Sequence, residues 1–487
     1  MENIKVNKVL LFCGLSFVAL SAIFIALEMF WFLAIPLGAL IIYFAVFRLD
    51  YLLLLITFLT PFAINIDNLS FGLGLSLPTE PLLFGVLLLF VIRVIYEGYG
   101  VQILKHPISI AIIINLIWIF ITSLTSCDPI VSLKFLLARL WFVVPFFFIG
   151  VMLFKNREKI KLFLWLYSIP LIVVIIYTLI RHVANGLSNH SSHWVMEPFY
   201  RDHTSYGAIL AMFVPIIFGL SLLKYKTRIV NYIGFAFFGI IILGTIFSYT
   251  RAAWLSLAIA FGFLFILWFK IKFKYIIIIG LSIITIGLVF QEQIIMKLGK
   301  NRQDSSDNLT EHVQSISNIS SDASNLERIN RWSSALRMFK EKPFWGWGPG
   351  TYQFKYAPYQ LSSEKTIIST NSGDMGNAHS EYIGPLAESG VFGMLSFIGI
   401  VCTIIYTGLR VYKNSKEKEV KVLSMIVLLG LITYMVHGLM NNFLDTDKAS
   451  IPFWGFTAIL VAFDIIASEK MLVTKTDDDI NLKEKNL

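Results

Sequence analysis

A histidine at the doorway of an apolar run and arginines where apolar segments turn are the residues best placed to do chemistry in this chain. The stretch "NAHSEYIGPLAESGVFG" (377–393) sets Asn377, His379, Ser380 and Glu381 against a run of mostly apolar residues. Membrane insertion does not require that histidine. With Asn377 or Ser380 as N-cap it is expected in the first turn of a helix, where the dipole favours the neutral imidazole. A neutral, sheltered imidazole is what a general base needs. Pro385 is expected to bend the helix and to leave the Glu381 carbonyl free. Glu388, seven residues after Glu381, is expected on the same face at membrane depth. There a carboxylate is a functional candidate, or a partner for Lys134 or Arg139.

The arginines fall in three further stretches. "IFSYTRAAWLSL" (246–257) puts Arg251 at the tip of a tight hairpin between apolar runs. Such an arginine either snorkels to the headgroups or binds an anion. "VMEPFYRDHTSYG" (195–207) puts Arg201, Asp202 and His203 at a helix entrance. "LERINRWSSALRMFKEKPFWGWGPGTY" (326–352) repeats Ile329, Trp332, Ala335, Leu336 and Phe339 at helical spacing, with Arg328, Arg331, Arg337 and Lys340 on more polar positions. That pattern predicts an amphipathic helix of about four turns along a membrane interface, its cations meeting lipid headgroups. Lys342-Pro343 stops it, and "WGWGPG" turns the chain back.

Other polar groups read more weakly. "HSSH" (His190, His193) has metal-like spacing but no third ligand nearby, so no metal site is assigned. His437 ends an apolar run beside Asn441, Asn442, Asp445 and Asp447, a second polar cluster. Cys13, Cys127 and Cys402 form no ligand spacing. Arginine forks bind phosphate, and at a membrane surface they would meet the head of a lipid. A sugar on a lipid diphosphate already carries a good leaving group. Its transfer needs cations for the diphosphate and one base for the acceptor hydroxyl, with no cofactor.

The elements that must hold these residues are membrane helices. Of 487 residues 56% are hydrophobic and 15% charged, against about 25% charged in soluble chains. Apolar blocks near the length of a bilayer-spanning helix, about 20 residues, fall near 8–27, 29–47, 50–66, 80–97, 107–124, 131–153, 160–180, 203–223, 229–248, 251–269, 274–291, 381–409, 421–440 and 450–468. The fold class is therefore an all-α polytopic membrane protein with about 12–14 transmembrane helices. One large external loop contains the amphipathic helix. The first block lacks a small-residue cleavage site and is read as a retained span.

With the N-terminus in the cytoplasm, that terminus, every second connection and the C-terminal tail together hold 24 of the 40 Lys and Arg residues. The +9 net charge is mostly this topology signal and requires no nucleic acid. The regions are then N-terminal helices (1–200), helices with the Arg251 hairpin (201–291), the external loop (292–380), C-terminal helices (381–468) and a cytoplasmic tail (469–487). Within the loop, 301–325 is Ser/Asn/Asp-rich and reads as a linker; Asn308 and Asn318 there begin N-x-S/T triplets.

In order and separated by the large loop, "SYTRAAWLSL", "ERINRWSSALRMFKEKPFWGWGPGTY" and "NAHSEYIGPLAESGVFGMLSF" resemble the O-antigen ligase and O-antigen polymerase superfamily of bacterial envelope glycosyltransferases, over roughly residues 200–465. The resemblance implies that Arg251 and Arg328 hold an undecaprenyl diphosphate and that His379 is the base for the acceptor. Arg201 joins them as a further diphosphate ligand. Ser380, where the family commonly has Asn, joins Glu388 and Asp445 in positioning the acceptor. The implied donor is an undecaprenyl-diphosphate-linked glycan, and the acceptor a lipid A–core, a glycan or a protein. Ligase and polymerase share the donor and both stay open. A lipid-linked oligosaccharide flippase or transporter also fits about fourteen spans, but no internal repeat supports it.

Overall fold

The computed structural model of the protein describes residues 8–28, 35–66, 75–271, 285, 323–366, 369–370 and 376–485. Residues 1–55 and 56–487 form two compact units. The first contains α1 (Lys8–Ala26), α2 (Ile35–Phe47) and the start of α3 (Leu49–Leu59). All the chemistry considered above belongs to the second.

In the second unit α4 (Thr79–Glu97), α5 (Pro107–Leu124), α6 (Pro129–Phe154) and α7 (Arg157–Ala184) precede α8 (His203–Leu222), α9 (Ile229–Phe247) and α10 (Arg251–Trp268). After the loop helix α11 (Ala323–Glu341) come α12 (Ile383–Asn414), α13 (Lys418–His437) and α14 (Asp447–Lys485). Among the described residues ten helices are long and apolar enough to cross a membrane, so the chain is an all-α polytopic membrane protein. The block at 274–291 and the linker with Asn308 and Asn318 lie outside the described residues.

Apolarity on all sides marks a helix buried on all sides. That is the case for α8, α13 and the first half of α14, which form the centre. α9 and α10 bury little more than one face each and pack against α8, as does α13. Two of the central helices and α10 carry site residues at one end: His203 begins α8, Arg251 begins α10 and His437 ends α13.

Two local features depart from the sequence reading. A short antiparallel pair, β1 (Ile64–Ile66) with β2 (Leu75–Leu77), stands before α4, in register Ile64 with Leu77 and Asn65 with Ser76. Its signal is buried in a stretch that reads as the end of a span. α12 begins only at Ile383, so Pro385 falls in the first turn. There a missing N–H removes no helical bond, and the expected bend at Pro385 does not form. The bend is at Gly390 (φ 70°, ψ −169°), in the left-handed region that glycine enters without a steric penalty. It lets Val391 N–H donate to the Pro343 carbonyl at 2.9 Å. The turn after α11 is thereby pinned to the middle of α12.

Candidate functional site

Arg251 is positioned by the hairpin that precedes it. Tyr249 takes a left-handed backbone (φ 50°), and its hydroxyl donates to the Leu187 carbonyl at 2.8 Å. The Thr250 side chain does not cap α10. It donates instead to the His203 carbonyl at 2.7 Å, tying the hairpin to the first turn of α8. Gly207 makes that contact possible, since a Cβ there would stand 2.5 Å from Thr250 Oγ1. Asp202 caps α8, its Oδ1 accepting from Ser205 N–H at 2.8 Å.

His379 lies four residues before α12, not in its first turn. It holds a left-handed backbone (φ 48°), uncommon for a residue with a side chain and a feature that clusters at functional sites. The Asn377 Oδ1 supports that turn by accepting from His379 N–H at 3.0 Å. Ser380 is buried (1% exposed), and its Oγ accepts from Tyr382 N–H and Ile383 N–H, both at 3.2 Å. Ser380 therefore fixes the entry to α12.

Glu381 is the brace that the sequence reading missed. Its Oε1 accepts from Tyr434 hydroxyl at 2.7 Å and from Phe443 and Leu444 N–H, both at 2.9 Å. Its own N–H donates to the Gly438 carbonyl at 2.8 Å. The two polar clusters, 377–381 and 437–447, are thus bolted together through one carboxylate. Burial raises the Glu381 pKa, opposed by the nearby Arg139 guanidinium.

Helix α11 packs on α12 and reaches both clusters. Arg328 Nε–H donates to the Met440 carbonyl at 3.1 Å, and Trp332 Nε1–H donates to the His379 carbonyl at 3.5 Å. The expected lipid-facing cations are not all there. Residues 327, 330, 331, 334, 335 and 338 are the buried stripe, so the more polar face of the helix is covered by the rest of the loop. Arg331 is 4% exposed. It pairs with Glu327 at 2.6 Å and lies 4.0 Å over the Tyr356 ring. Arg337 donates to the Tyr359 carbonyl at 2.7 Å and pairs with Glu364. The pattern predicts an interfacial helix, whereas residues 352–366 and 369–370 fold back over its polar side.

These supports bring Arg251, Arg328 and His379 into one electrostatic neighbourhood. The Arg328 charge acts on Arg251, His379 and His437, while Asp202 acts on Arg328, His379 and His437. His437 also shares a contact with Asn441 (Nε2 to Nδ2, 3.1 Å). Burial, then the charges of Arg328 and Arg331, push the His379 imidazole down to about 4. The helix dipole expected to keep it neutral is replaced by burial and cations. Burial likewise lowers the Arg328 guanidinium from its usual value, and Asp202 works against that effect.

A polar cavity of about 160 Å³ adjoins this cluster, lined among others by Asn65, Arg201, Asp202, Asn377, Asn442 and Asp445. Arg201 and Asp445 thus share a cavity with Asn377, whose side chain supports the His379 turn. Asp447 and Lys448 form its far wall and are held by structure. Thr79 hydroxyl donates to Asp447 Oδ2 at 2.6 Å, and Lys448 Nζ donates to the Thr60 and Ala63 carbonyls at 2.9 and 2.8 Å. Residues before 200 therefore help build the site. Glu388 does not join it. Its Oε1 accepts from Tyr352 N–H at 3.0 Å and its carbonyl from Gly348 N–H at 2.7 Å, so it anchors the "WGWGPG" turn. The expected helical face shared by Glu381 and Glu388 does not exist, because Glu381 precedes the helix. Among the described residues no group of three or more His, Cys, Asp or Glu could hold a metal ion; His193 packs edge-on to His203, centroids 4.1 Å apart.

Comparison with known proteins agrees with the motifs. Residues 235–398, about a third of the chain, match the O-antigen ligase family. A protein of Haemophilus influenzae (strain ATCC 51907 / DSM 11121 / KW20 / Rd), described only as uncharacterized, is 25% identical over 239 residues. That similarity spans 49% of this chain and 57% of the relative.

Proposed function

We propose, supported by that family match, that the chain transfers a glycan from an undecaprenyl-diphosphate-linked donor to an acceptor hydroxyl at the outer face of a bacterial inner membrane, with both termini cytoplasmic. The observation that carries the reading is that Arg328, from the loop helix, stands near enough for its charge to act both on Arg251, from the α9–α10 hairpin, and on a buried, neutral His379. Two guanidinium forks suit a diphosphate and the charge that grows on it as the glycosidic bond breaks. The acceptor oxygen attacks the anomeric carbon, and the bonding pair leaves with the diphosphate oxygen. The acceptor proton passes to a His379 ring nitrogen. One displacement inverts the anomeric centre.

In this reading Arg201 holds the donor's charge from the cavity side, and Asp445 with Asn377 and Asn442 orients the acceptor sugar. Donor binding also strengthens the base: the diphosphate offsets the arginine charges that depress the imidazole, so His379 takes a proton more readily once the leaving group is in place. The same geometry serves a lipid A–core, protein or glycan acceptor, and therefore ligase and polymerase alike.

The test is transfer by purified protein from a lipid-diphosphate-linked glycan, with His379→Ala beside wild type. Loss of transfer at normal abundance and fold is expected; full activity in that variant removes His379 as base, and a product of retained configuration removes the single displacement. Glycan profiles of cells lacking the protein separate the two acceptors. Long lipid-linked polymer with a bare acceptor identifies a ligase, and single lipid-linked repeats identify a polymerase.

A further inference from the structure

At the end of the bundle away from His379, an apolar groove of about 280 Å³ opens between α8, α10 and α13, near the lower end of the ~300–1,000 Å³ of small-molecule pockets. Phe218 and Leu222 line it from α8, Phe261 and Leu264 from α10, and Met425 and Leu429 from α13. Leu222 is 54% exposed and Phe218 and Phe261 nearly two-fifths, so the groove faces outward along spanning helices, where only lipid chains are at hand.

Its mouth is charged, and with one sign. Lys418, Lys421 and Tyr412 stand there, and Lys418 opens α13, whose first turn has no side-chain cap. The neighbouring acids are taken elsewhere: Glu417 pairs with Arg157 in a bidentate contact, and Glu419 with Lys161 at 3.3 Å. What faces the groove mouth is thus two ammonium groups, a phenol and the positive end of a helix dipole. The combination suits a phosphate carried on an acyl chain.

We propose that this groove binds one anionic phospholipid of the leaflet opposite the His379 site, its acyl chain between α8, α10 and α13 and its headgroup phosphate on Lys418 and Lys421. The same three helices present His203, Arg251 and His437 at their other ends, so the lipid wedges the scaffold of the site without touching it.

The test is a binding measurement and does not depend on the glycan-transfer reading. Full-length protein, stripped of lipid in detergent, is titrated with phosphatidylglycerol or phosphatidylcholine and read by native mass spectrometry. One tightly held phosphatidylglycerol per chain is expected, preferred over phosphatidylcholine by roughly tenfold or more. Lys418→Gln with Lys421→Gln, on the exposed end of the helix, removes the preference. Leu222→Trp, which fills the groove, weakens both lipids. Equal binding of the two lipids by wild type, or a preference that survives the double lysine change, overturns the proposal. So does recovery of a bound polyprenyl lipid that Leu222→Trp displaces, which assigns the groove to the donor's own chain.

Discussion

Replacing Glu381 tests whether the two polar clusters are one unit. In Glu381→Ala the Phe443 and Leu444 N–H groups and the Tyr434 hydroxyl lose their shared acceptor, and Arg139 loses a facing carboxylate. A buried donor without a partner costs about 1–3 kcal/mol. Cavity water can reach part of this turn, so a total of about 3–5 kcal/mol is expected, in line with breaking a buried charge pair. Since ~1.4 kcal/mol is tenfold in an equilibrium, local opening of 438–446 becomes roughly 10²–10³ times more frequent. Hydrogen exchange of the full-length protein reads this directly in the peptides covering 377–383 and 438–446, with α8 as internal control. Glu381→Gln keeps an acceptor oxygen in place and loses only the charge, for about 1–2 kcal/mol, and exchange rises about tenfold. Unchanged exchange in Glu381→Ala would refute the brace. Equal effects of Ala and Gln would show that the charge facing Arg139, and not the three accepted bonds, holds the turn.

Other perturbations follow from the same geometry. With donor limiting, transfer persists as pH falls until about 4, where the His379 imidazole gains its proton. At saturating donor the acid limb moves to higher pH because the diphosphate offsets Arg328 and Arg331; a pH profile with identical limbs contradicts this, and His379→Ala has neither. Gly207→Ala pushes on Thr250 and shifts Arg251; since a 1 Å misplacement costs ~10² in rate, transfer should fall about that much with insertion intact, which a single-turnover assay measures. Glu327→Ala strands the buried Arg331 and should destabilise the loop by ~3–5 kcal/mol, read as protease sensitivity in 323–366; Arg331→Met, which removes the charge with it, should be milder.

What the sequence made legible was what is local. The tight hairpin at Arg251, the helix stop at Lys342-Pro343 and the spans from residue 79 on are written in neighbouring residues and stand where expected among the described residues, whereas the blocks at 8–27, 29–47 and 50–66 give shorter apolar helices. The faces were harder. In α11 the apolar positions Ile329, Trp332, Ala335, Leu336 and Phe339 suggested a helix lying on lipid, yet of these only Ala335 is buried, in a stripe with Glu327, Asn330, Arg331, Ser334 and Met338. Amphipathicity names two faces without saying which is covered when a polar loop can cover either. His379 was found for a reason that does not hold, since its turn precedes α12 and burial and cations keep it neutral. The bracing role of Glu381 was unreadable because its partners, Tyr434, Phe443 and Leu444, are distant in the chain. Glu388 looked functional because a carboxylate near a membrane demands a partner, and nothing local shows that its partners are backbone N–H groups of a distant turn.

One contact bears on how such a protein can diversify. Helix α11 docks on its neighbours through the carbonyls of Met440 and His379, and Glu381 grips 443–444 through backbone N–H groups. Backbone groups are the same whatever residue carries them. Positions 440 and 443, whose side chains are only half-buried, can therefore drift, reshaping the wall beside Asp445, while the frame around Arg328 and His379 stays put. Under the proposed function, evolutionary change in what is accepted is thereby uncoupled from the residues proposed to perform the transfer.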